Sequence, residues 1–215
     1  MYINTKNFIL ENKIITICRR IYGDKLLKLV EALHKGGINL VEVTFDQSDS
    51  QCMEKTAEAI RSLCEHFGKG MMIGAGTVIM PEQVIAAKDA GAGYIISPNV
   101  DEKVIMLTKQ LGLVSIPGAM TPTEITSAHN LGADIVKVFP AGYLGLKYIK
   151  DVRAPLSHIH LVAAGGVTEE NVLEYHNAGY SCFGVSGRLT DAKVIDAGDY
   201  TEFTRRAQAF VNACR

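Results

Sequence analysis

Residues 23–45 read GDKLLKLVEALHKGGINLVEVTF, and this stretch contains the repeating unit that decides the fold. Its first half spaces leucine and valine side chains as one face of a helix does, and Gly36 and Gly37 mark the end of that helix. Its second half, residues 40–44, is a short apolar and β-branched run of the kind found in covered parallel strands. The stretch therefore predicts a helix followed by a buried parallel strand.

The same alternation recurs along the whole chain. Apolar runs centre near residues 16, 42, 72, 95, 115, 137, 162 and 184, about 20 to 30 residues apart, with amphipathic segments between them. Eight strand-and-helix units of this length suit a closed barrel, so we predict an α/β fold, a (βα)8 TIM barrel, as a single domain over residues 1–215. An open doubly wound sheet is the alternative. Such a sheet usually binds its ligand at a Gly-rich first turn, whereas residues 19–23 read RRIYG.

Composition narrows the function before any motif is considered. The chain has 22 Lys+Arg and 23 Asp+Glu, and a net charge of −1 disfavours a nucleic-acid-binding surface. We find no signal peptide and no apolar run long enough to cross a membrane, so no membrane partner is expected. The cysteines form neither a disulfide framework nor a zinc motif; they are Cys18, Cys52, Cys64, Cys182 and Cys214. These features favour a cytoplasmic protein with no bound metal.

Two charged residues lie within apolar strands, and they are the candidate catalytic pair. Barrel enzymes build their sites at the carboxyl ends of the strands, and alternate strand residues face the barrel interior. A lysine there, Lys137, must be paired or lose its proton, and a neutral amine can attack a carbonyl carbon to form a Schiff base. A carboxylate across the interior, Glu42, can then move protons. The alternative is a buried ion pair without chemistry.

Glycines follow the last two predicted strands. Gly165-Gly166 comes after the seventh strand, and Ser186-Gly187 comes after the eighth. Barrels often bind phosphate at this position through backbone N–H groups and a helix N-terminus. Because each pair alone is a weak signal, ordinary tight turns are the alternative.

Taken together, these residues resemble the class I KDPG/KHG aldolases, which act on 2-keto-3-deoxy-6-phosphogluconate and 4-hydroxy-2-oxoglutarate. The resemblance covers almost the whole chain, and its order and spacing are specific. The matching segments are VEVTF at 41–45, IGAGTV at 73–78, SPN at 97–99, IPG at 116–118, TPTE at 121–124, KVFPA at 137–141 and AGGV at 164–167.

The resemblance implies a role for each matching residue. Lys137 corresponds to the Schiff-base lysine, Glu42 to the general acid/base and Thr77 to the threonine that holds the pyruvate moiety. The pocket walls and the phosphate-binding end correspond to Pro98, Phe139, Gly165, Gly166, Ser186 and Gly187. The resemblance also implies a homotrimer that uses no metal or other cofactor and acts on a small 2-keto acid, releasing pyruvate.

Three positions depart from the family pattern. Many members carry an arginine four residues after the glutamate, to contact the substrate carboxylate, but this chain has Asp46. We expect Arg19, at the end of the first strand, to supply that contact and Asp46 to orient it. Ala164 replaces a threonine near the hydroxyl-bearing carbon, which affects stereochemical preference. The last turn reads Ser-Gly where the family often reads Gly-Ser, and Arg188 either compensates in phosphate binding or faces solvent.

The sequence therefore predicts a Schiff-base aldolase that cleaves a 2-keto-4-hydroxy acid to pyruvate and an aldehyde. The substrate is KDPG, 4-hydroxy-2-oxoglutarate or a C4 epimer, and the aldehyde is glyceraldehyde 3-phosphate or glyoxylate. Two other functions remain open at this point. One is a phosphosugar isomerase or epimerase that uses Lys137 and Glu42 as acid and base, and the other is a non-catalytic barrel that binds a phosphate ligand.

Overall fold

A closed parallel barrel forms the centre of the protein. The computed structural model describes residues 4–214, so residues 1–3 and 215 of the predicted domain lie outside the described part. Its strands are β1 (Ile14–Cys18), β2 (Leu40–Thr44), β3 (Met72–Gly76), β4 (Tyr94–Ile96), β5 (Val114–Ile116), β6 (Gly118–Ala119), β7 (Val136–Val138), β8 (Leu161–Ala164) and β9 (Cys182–Val185). Neighbouring strands pair in parallel in the order β5-β4-β3-β2-β1-β9-β8-β7-β6.

The sheet closes on itself through β5 and β6. These strands stand at the two ends of the order, yet only Pro117 separates them in the chain. A proline has no N–H group to donate to a neighbouring strand, so the ladder is interrupted at this residue. The two strands therefore occupy one position of an eight-position barrel, and the predicted TIM-barrel fold is confirmed.

Helices follow the strands and cover the outside of the barrel. They are α1 (Thr5–Asn12), α2 (Gly23–Lys35), α3 (Cys52–Phe67), α4 (Pro81–Asp89), α5 (Glu102–Gln110), α6 (Pro122–Asn130), α7 (Ala141–Arg153), α8 (Val172–Ala178), α9 (Ala192–Asp196) and α10 (Tyr200–Ala213). A short 3₁₀ turn spans Gly68–Gly70. Within residues 4–214, no helix combines the length and the apolar character needed to cross a bilayer.

Local sequence signals explain where helices begin. Thr121 and Glu124 form a reciprocal capping box at the start of α6, and Pro122 stands at the first helical position. Pro81 likewise stands at the first helical position of α4, which has no side-chain cap. Because these starts fix where each helix follows its strand, they also fix the loops that line the mouth of the barrel.

Helix α1 was not predicted, and it closes the lower end of the barrel. Ile9 is fully buried and packs in one cluster with inward-facing residues such as Ile15, Tyr94 and Val162. The backbone carbonyl of Ile9 also accepts a weak hydrogen bond from the Cys182 thiol at 3.5 Å. Within residues 4–214, the barrel interior is therefore filled at the bottom and open at the carboxyl ends of the strands.

Candidate active site

Lys137 and Glu42 both lie inside the barrel. Lys137 is the central residue of β7 and is 8% exposed, and Glu42 is the central residue of β2 and is 2% exposed. The two strands stand on different sides of the closed sheet, because β3, β4 and β5 separate them in one direction and β1, β9 and β8 in the other. The predicted pair therefore shares one interior space.

Burial shifts the protonation of both groups toward the neutral forms. It raises the pKa of the Glu42 carboxyl, and the positive charges of Lys137 and Arg19 offset part of that rise. Burial likewise lowers the pKa of the Lys137 amine; the Glu42 carboxylate opposes this shift, and the Arg19 guanidinium adds to it. The surroundings therefore increase the share of neutral amine, which is the nucleophilic form.

Gly76 fixes the position of the Glu42 carboxyl group. Glu42 pairs with Gly74 in the β2–β3 register, and its carboxyl group packs directly over Gly76, where a Cβ atom would overlap it. Glu42 Oε2 is buried and has no hydrogen-bond partner among the described residues. Buried polar atoms are usually bonded, so this oxygen is an acceptor that stands ready for a proton from a ligand.

An open cleft of about 500 Å³ lies above this pair at the mouth of the barrel. Four residues predicted for the site line it: Arg19, Thr77, Pro98 and Phe139. The Phe139 ring centroid lies 5.2 Å from Lys137 Nζ, so the aromatic ring connects the open cleft to the buried amine. The structure therefore brings the predicted lysine, carboxylate and pocket walls together.

The expected contact between Arg19 and Asp46 is wrong. Asp46 binds Arg20 instead, with Arg20 Nε 2.7 Å from Asp46 Oδ2 and Arg20 Nη2 3.2 Å from Asp46 Oδ1. Arg20 has a φ of 56°, and this left-handed turn directs the neighbouring arginine side chains differently. Arg19 has no ion-pair partner in the described part of the chain, and its charge acts on both Lys137 and Glu42.

The two glycine turns lie beside each other after β8 and β9. Gly165 and Gly166 have φ values of 88° and 85°, which only glycine adopts readily, and both are exposed. Ser186 is half-buried and Gly187 is exposed. No described backbone carbonyl accepts from the N–H groups of Gly165, Gly166 or Gly187, so these amides can bind an anion.

The helix N-terminus expected at this phosphate site does not lie at either glycine turn of the described chain, since α9 begins at Ala192, five residues beyond Gly187. Helix α8 begins at Val172, six residues beyond Gly166, and the intervening turn is held by Asn171, whose side chain bonds the Thr168 N–H and the Gly166 carbonyl. Arg188 does not face solvent freely, because its Nε donates to Glu169 Oε2 at 3.1 Å and its Nη2 makes a second contact with the same carboxylate.

The sequence assigns no site role to three further residues, although it places Arg20 at the end of the first strand. Arg20 and Gln47 line the cleft, and Gln83 of α4 is buried behind it. Two of them leave a sequence signal: Arg20 follows the first strand, and Gln83 is a polar residue on the otherwise apolar buried face of α4. Within residues 4–214 no group of three or more His, Cys, Asp or Glu side chains could hold a metal ion.

Comparison with known proteins identifies the family. A family model described as KDPG and KHG aldolase matches residues 5–206. The 2-dehydro-3-deoxy-6-phosphogalactonate aldolase of Escherichia coli K12 is 35% identical over 204 residues, 94% of either chain. The 2-dehydro-3-deoxy-phosphogluconate aldolase of Haemophilus influenzae is 32% identical over 166 residues, 77% of this chain and 75% of its own.

Solved structures agree with this result. A structure described as native KDPGal superposes with a TM-score of 0.84 at 33% identity and covers 94% of both chains. KDPG aldolase from Legionella pneumophila, with pyruvate captured as a covalent carbinolamine intermediate, has a TM-score of 0.84 at 25% identity and covers 95% of this chain and 97% of its own. A carbinolamine is the precursor of a Schiff base, the intermediate that defines class I aldolases. The chain therefore belongs to the KDPG and KHG aldolase family, and it is a class I aldolase, an aldehyde-lyase that works through a covalent Schiff base.

Proposed function

We propose that Lys137 is the Schiff-base nucleophile and Glu42 the general acid/base of this aldolase. The observation that carries the proposal is their placement: one lysine and one carboxylate, both buried in the barrel interior beneath a cleft at the carboxyl ends of the strands. Family membership favours this function over the isomerase and the non-catalytic barrel, since neither of those needs a covalent intermediate.

The reaction follows from this placement. The neutral Lys137 amine attacks the C2 ketone to form a carbinolamine, and loss of water gives an iminium ion. Glu42 accepts the proton of the C4 hydroxyl, directly or through a water molecule, while the C3–C4 bond breaks. The bonding electrons pass to the iminium nitrogen, leaving an enamine and a free aldehyde. Glu42 then returns a proton to C3, and hydrolysis releases pyruvate and restores the amine.

Residues at the cleft bind the keto acid. We assign the substrate carboxylate to Arg19, because it is the unpaired cation of the cleft among the described residues, and to Thr77 on the adjoining loop. Pro98 and Phe139 form the apolar walls around the pyruvate methylene and methyl carbons. Arginine suits this contact because its planar fork matches the geometry of a carboxylate.

We assign a phosphorylated aldehyde, glyceraldehyde 3-phosphate, to the other product. The amides of the two glycine turns donate to no described backbone carbonyl and can bind an anion, and Gly165 lies beside Phe139, which lines the cleft. For the C4 configuration we propose that of 2-dehydro-3-deoxy-6-phosphogalactonate. The relative from Escherichia coli K12 that carries this name is 35% identical over 94% of this chain, whereas the phosphogluconate aldolase of Treponema pallidum is 34% identical over 84%, and Ala164 ends β8 without a hydroxyl group.

We also propose that the single barrel assembles as a homotrimer in the cytoplasm. Free cysteines suit a reducing compartment, and all five are free. Large apolar side chains stay exposed on one chain, among them Met80 at 40%, Met120 at 46% and Tyr143 at 93%. Sedimentation equilibrium is expected to give the mass of three chains, and the mass of a single chain would contradict the trimer.

Borohydride reduction in the presence of pyruvate tests the nucleophile. Reduction of the iminium leaves a stable adduct, and peptide mass spectrometry is expected to place it on Lys137. Lys137→Arg keeps the charge but cannot form the adduct, and Lys147→Arg, at a side chain that is 92% exposed, is the matched control. An adduct on another lysine, or none at all, refutes the assignment.

A substrate panel tests the specificity. The kcat/KM values for phosphogalactonate, phosphogluconate and 4-hydroxy-2-oxoglutarate substrates are compared under one set of conditions. We expect the phosphogalactonate compound to give the highest value. A preference for the phosphogluconate compound would reverse the C4 assignment. A preference for 4-hydroxy-2-oxoglutarate would contradict the assignment of a phosphorylated aldehyde.

A further inference from the structure

Two residues at the mouth of the barrel hold a backbone conformation that side chains other than glycine rarely adopt. Arg20 and Thr77 both have a φ of 56°. The third such residue in the described chain, Lys13, precedes β1 at the opposite end of the barrel. A left-handed residue with a side chain persists only where neighbouring groups hold it, and such residues concentrate at functional sites.

The turn after β2 holds the first of these residues. Arg20 Nη2 donates to Asp46 Oδ1 at 3.2 Å, and Arg20 Nε lies 2.7 Å from Asp46 Oδ2 as an ion-pair contact. The carboxylate is itself fixed within the turn, because the Ser48 hydroxyl and N–H donate to Asp46 Oδ1 at 2.7 and 3.2 Å. The Asp46 side chain is 15% exposed, although that of Arg20 is 70% exposed. A two-point contact of this kind fixes the direction of a guanidinium as well as its distance.

The same turn holds the second residue through an amide relay. Gln47 Nε2 donates to the Thr77 carbonyl at 2.8 Å, and Gln47 Oε1 accepts from Gln83 Nε2 at 3.0 Å. Gln83 is 1% exposed, and its Oε1 accepts from the Ile79 N–H at 2.8 Å. The loop at residues 77–79 is therefore hydrogen-bonded at both ends, to the turn after β2 at Thr77 and to helix α4 at Ile79.

We propose that residues 46–48 (Asp-Gln-Ser) are a positioning turn for the keto-acid pocket, holding Arg20 and Thr77 left-handed so that Arg19 and Thr77 face the substrate carboxylate. The inference rests on the proposed function, which gives Arg19 and Thr77 that ligand. It also explains an acidic residue at the mouth of an anion pocket. Because Arg20 neutralises Asp46, the carboxylate orients its neighbours without repelling the substrate.

Four variants separate positioning from a direct charge contact. Asp46→Asn breaks the Arg20 pair, and Asp49→Asn is its matched control, since Asp49 lies in the same loop, pairs with Lys55 at 2.6 Å and does not line the cleft. Arg20→Ala and Arg20→Gly remove the same charge, but only glycine adopts a positive φ without strain. The measured quantity is the pyruvate concentration that half-saturates borohydride trapping.

We expect this concentration to rise about fivefold in Asp46→Asn and less than about twofold in Asp49→Asn. We expect Arg20→Ala to bind pyruvate about threefold more weakly than Arg20→Gly, because the left-handed conformer becomes less populated. The KM of the aldehyde in the condensation direction should stay within about twofold of the wild-type value in all four variants. A direct contact from Arg20 to the substrate would instead make the alanine and glycine variants equal and leave Asp46→Asn at least as tight as wild type.

The relay is tested separately through an exposed residue. Gln47→Ala should weaken pyruvate binding in the same way, whereas Gln51→Ala in the same loop, whose side chain makes no described hydrogen bond, should not. If the wild-type enzyme forms an adduct on Lys137 and these paired variants do not differ, the positioning turn is refuted while the proposed function stands. If the wild-type enzyme forms no adduct, both are refuted.

Discussion

Replacing Gly76 by alanine should disable the enzyme without unfolding it. A Cβ atom at this position would approach Glu42 Oε1 to more than 1 Å inside the 3.0 Å separation that real Cβ atoms observe, and it would also overlap Cδ and Cγ of the same side chain. The carboxyl group would have to move by more than 1 Å. A displacement of this size can cost about 100-fold in rate, so we expect kcat to fall by about that factor.

Gly74→Ala is the matched control in the same strand. Its Cβ atom would overlap the Tyr94 ring rather than the carboxyl group. Overpacking costs about 1–3 kcal/mol of unfolding free energy in either variant, so both should lose similar stability. Only Gly76→Ala should lose turnover by the larger factor. Glu42→Asp shortens the side chain by about 1.5 Å, so the double variant with Gly76→Ala should recover part of the loss.

Turnover is followed as pyruvate release at saturating substrate, and stability as the urea midpoint. The reasoning is refuted if Gly76→Ala keeps kcat within about threefold of wild type, a loss of under 1 kcal/mol of transition-state stabilisation. Equal losses of turnover in the two glycine variants would also refute it, because they would trace the effect to general overpacking.

Three further predictions concern charges and a buried hydrogen bond. The Arg19 guanidinium lowers the pKa of Lys137, so Arg19→Gln should raise that pKa. The pH at which the rate of borohydride trapping rises, measured at saturating pyruvate, should then be higher than in the wild type. An unchanged pH profile would contradict this. Glu169→Gln removes the ion pair of Arg188 and leaves its guanidinium free beside the glycine turns. The kcat/KM should rise about two- to threefold for phosphorylated substrates and stay unchanged for 4-hydroxy-2-oxoglutarate. Equal effects on both kinds of substrate would argue against a role of Arg188 in phosphate binding. Tyr94→Phe deprives a buried β2 carbonyl of a 2.7 Å hydrogen bond and should cost about 1–3 kcal/mol in urea unfolding, and a loss below about 0.5 kcal/mol would contradict it.

The fold and the centre of the site could be predicted because their signals are local. Each parallel strand is a short apolar run bounded by turn residues, and the strand period of two decides which side chains face inward. A charged residue in such a run is conspicuous, so Lys137 and Glu42 could be identified before any coordinates were known. Arg19, Thr77, Pro98 and Phe139 followed from their positions at strand ends and from the family resemblance.

The errors concern features that depend on distant parts of the chain. Whether Arg19 or Arg20 binds Asp46 is decided by the left-handed φ of Arg20, and a non-glycine residue gives no local sign of that conformation. The role of α1 depends on packing beneath the barrel, which Ile9 reaches only after the strands have closed. Likewise, the pairing of Arg188 with Glu169 joins two loops, and neither loop reveals it alone.

The plug formed by α1 has a kinetic consequence. With Ile9 filling the lower end of the barrel and Tyr94 buried above it, the described residues leave the barrel interior open at the carboxyl ends of the strands. If Lys137 is the nucleophile as proposed above, the keto acid is bound at the deepest point and the aldehyde fragment lies between it and the opening. On that assignment we expect the products to leave in a fixed order, the aldehyde first and pyruvate last. In the synthetic direction we expect pyruvate to bind first and the pyruvate-loaded enzyme to be the form that accepts the aldehyde.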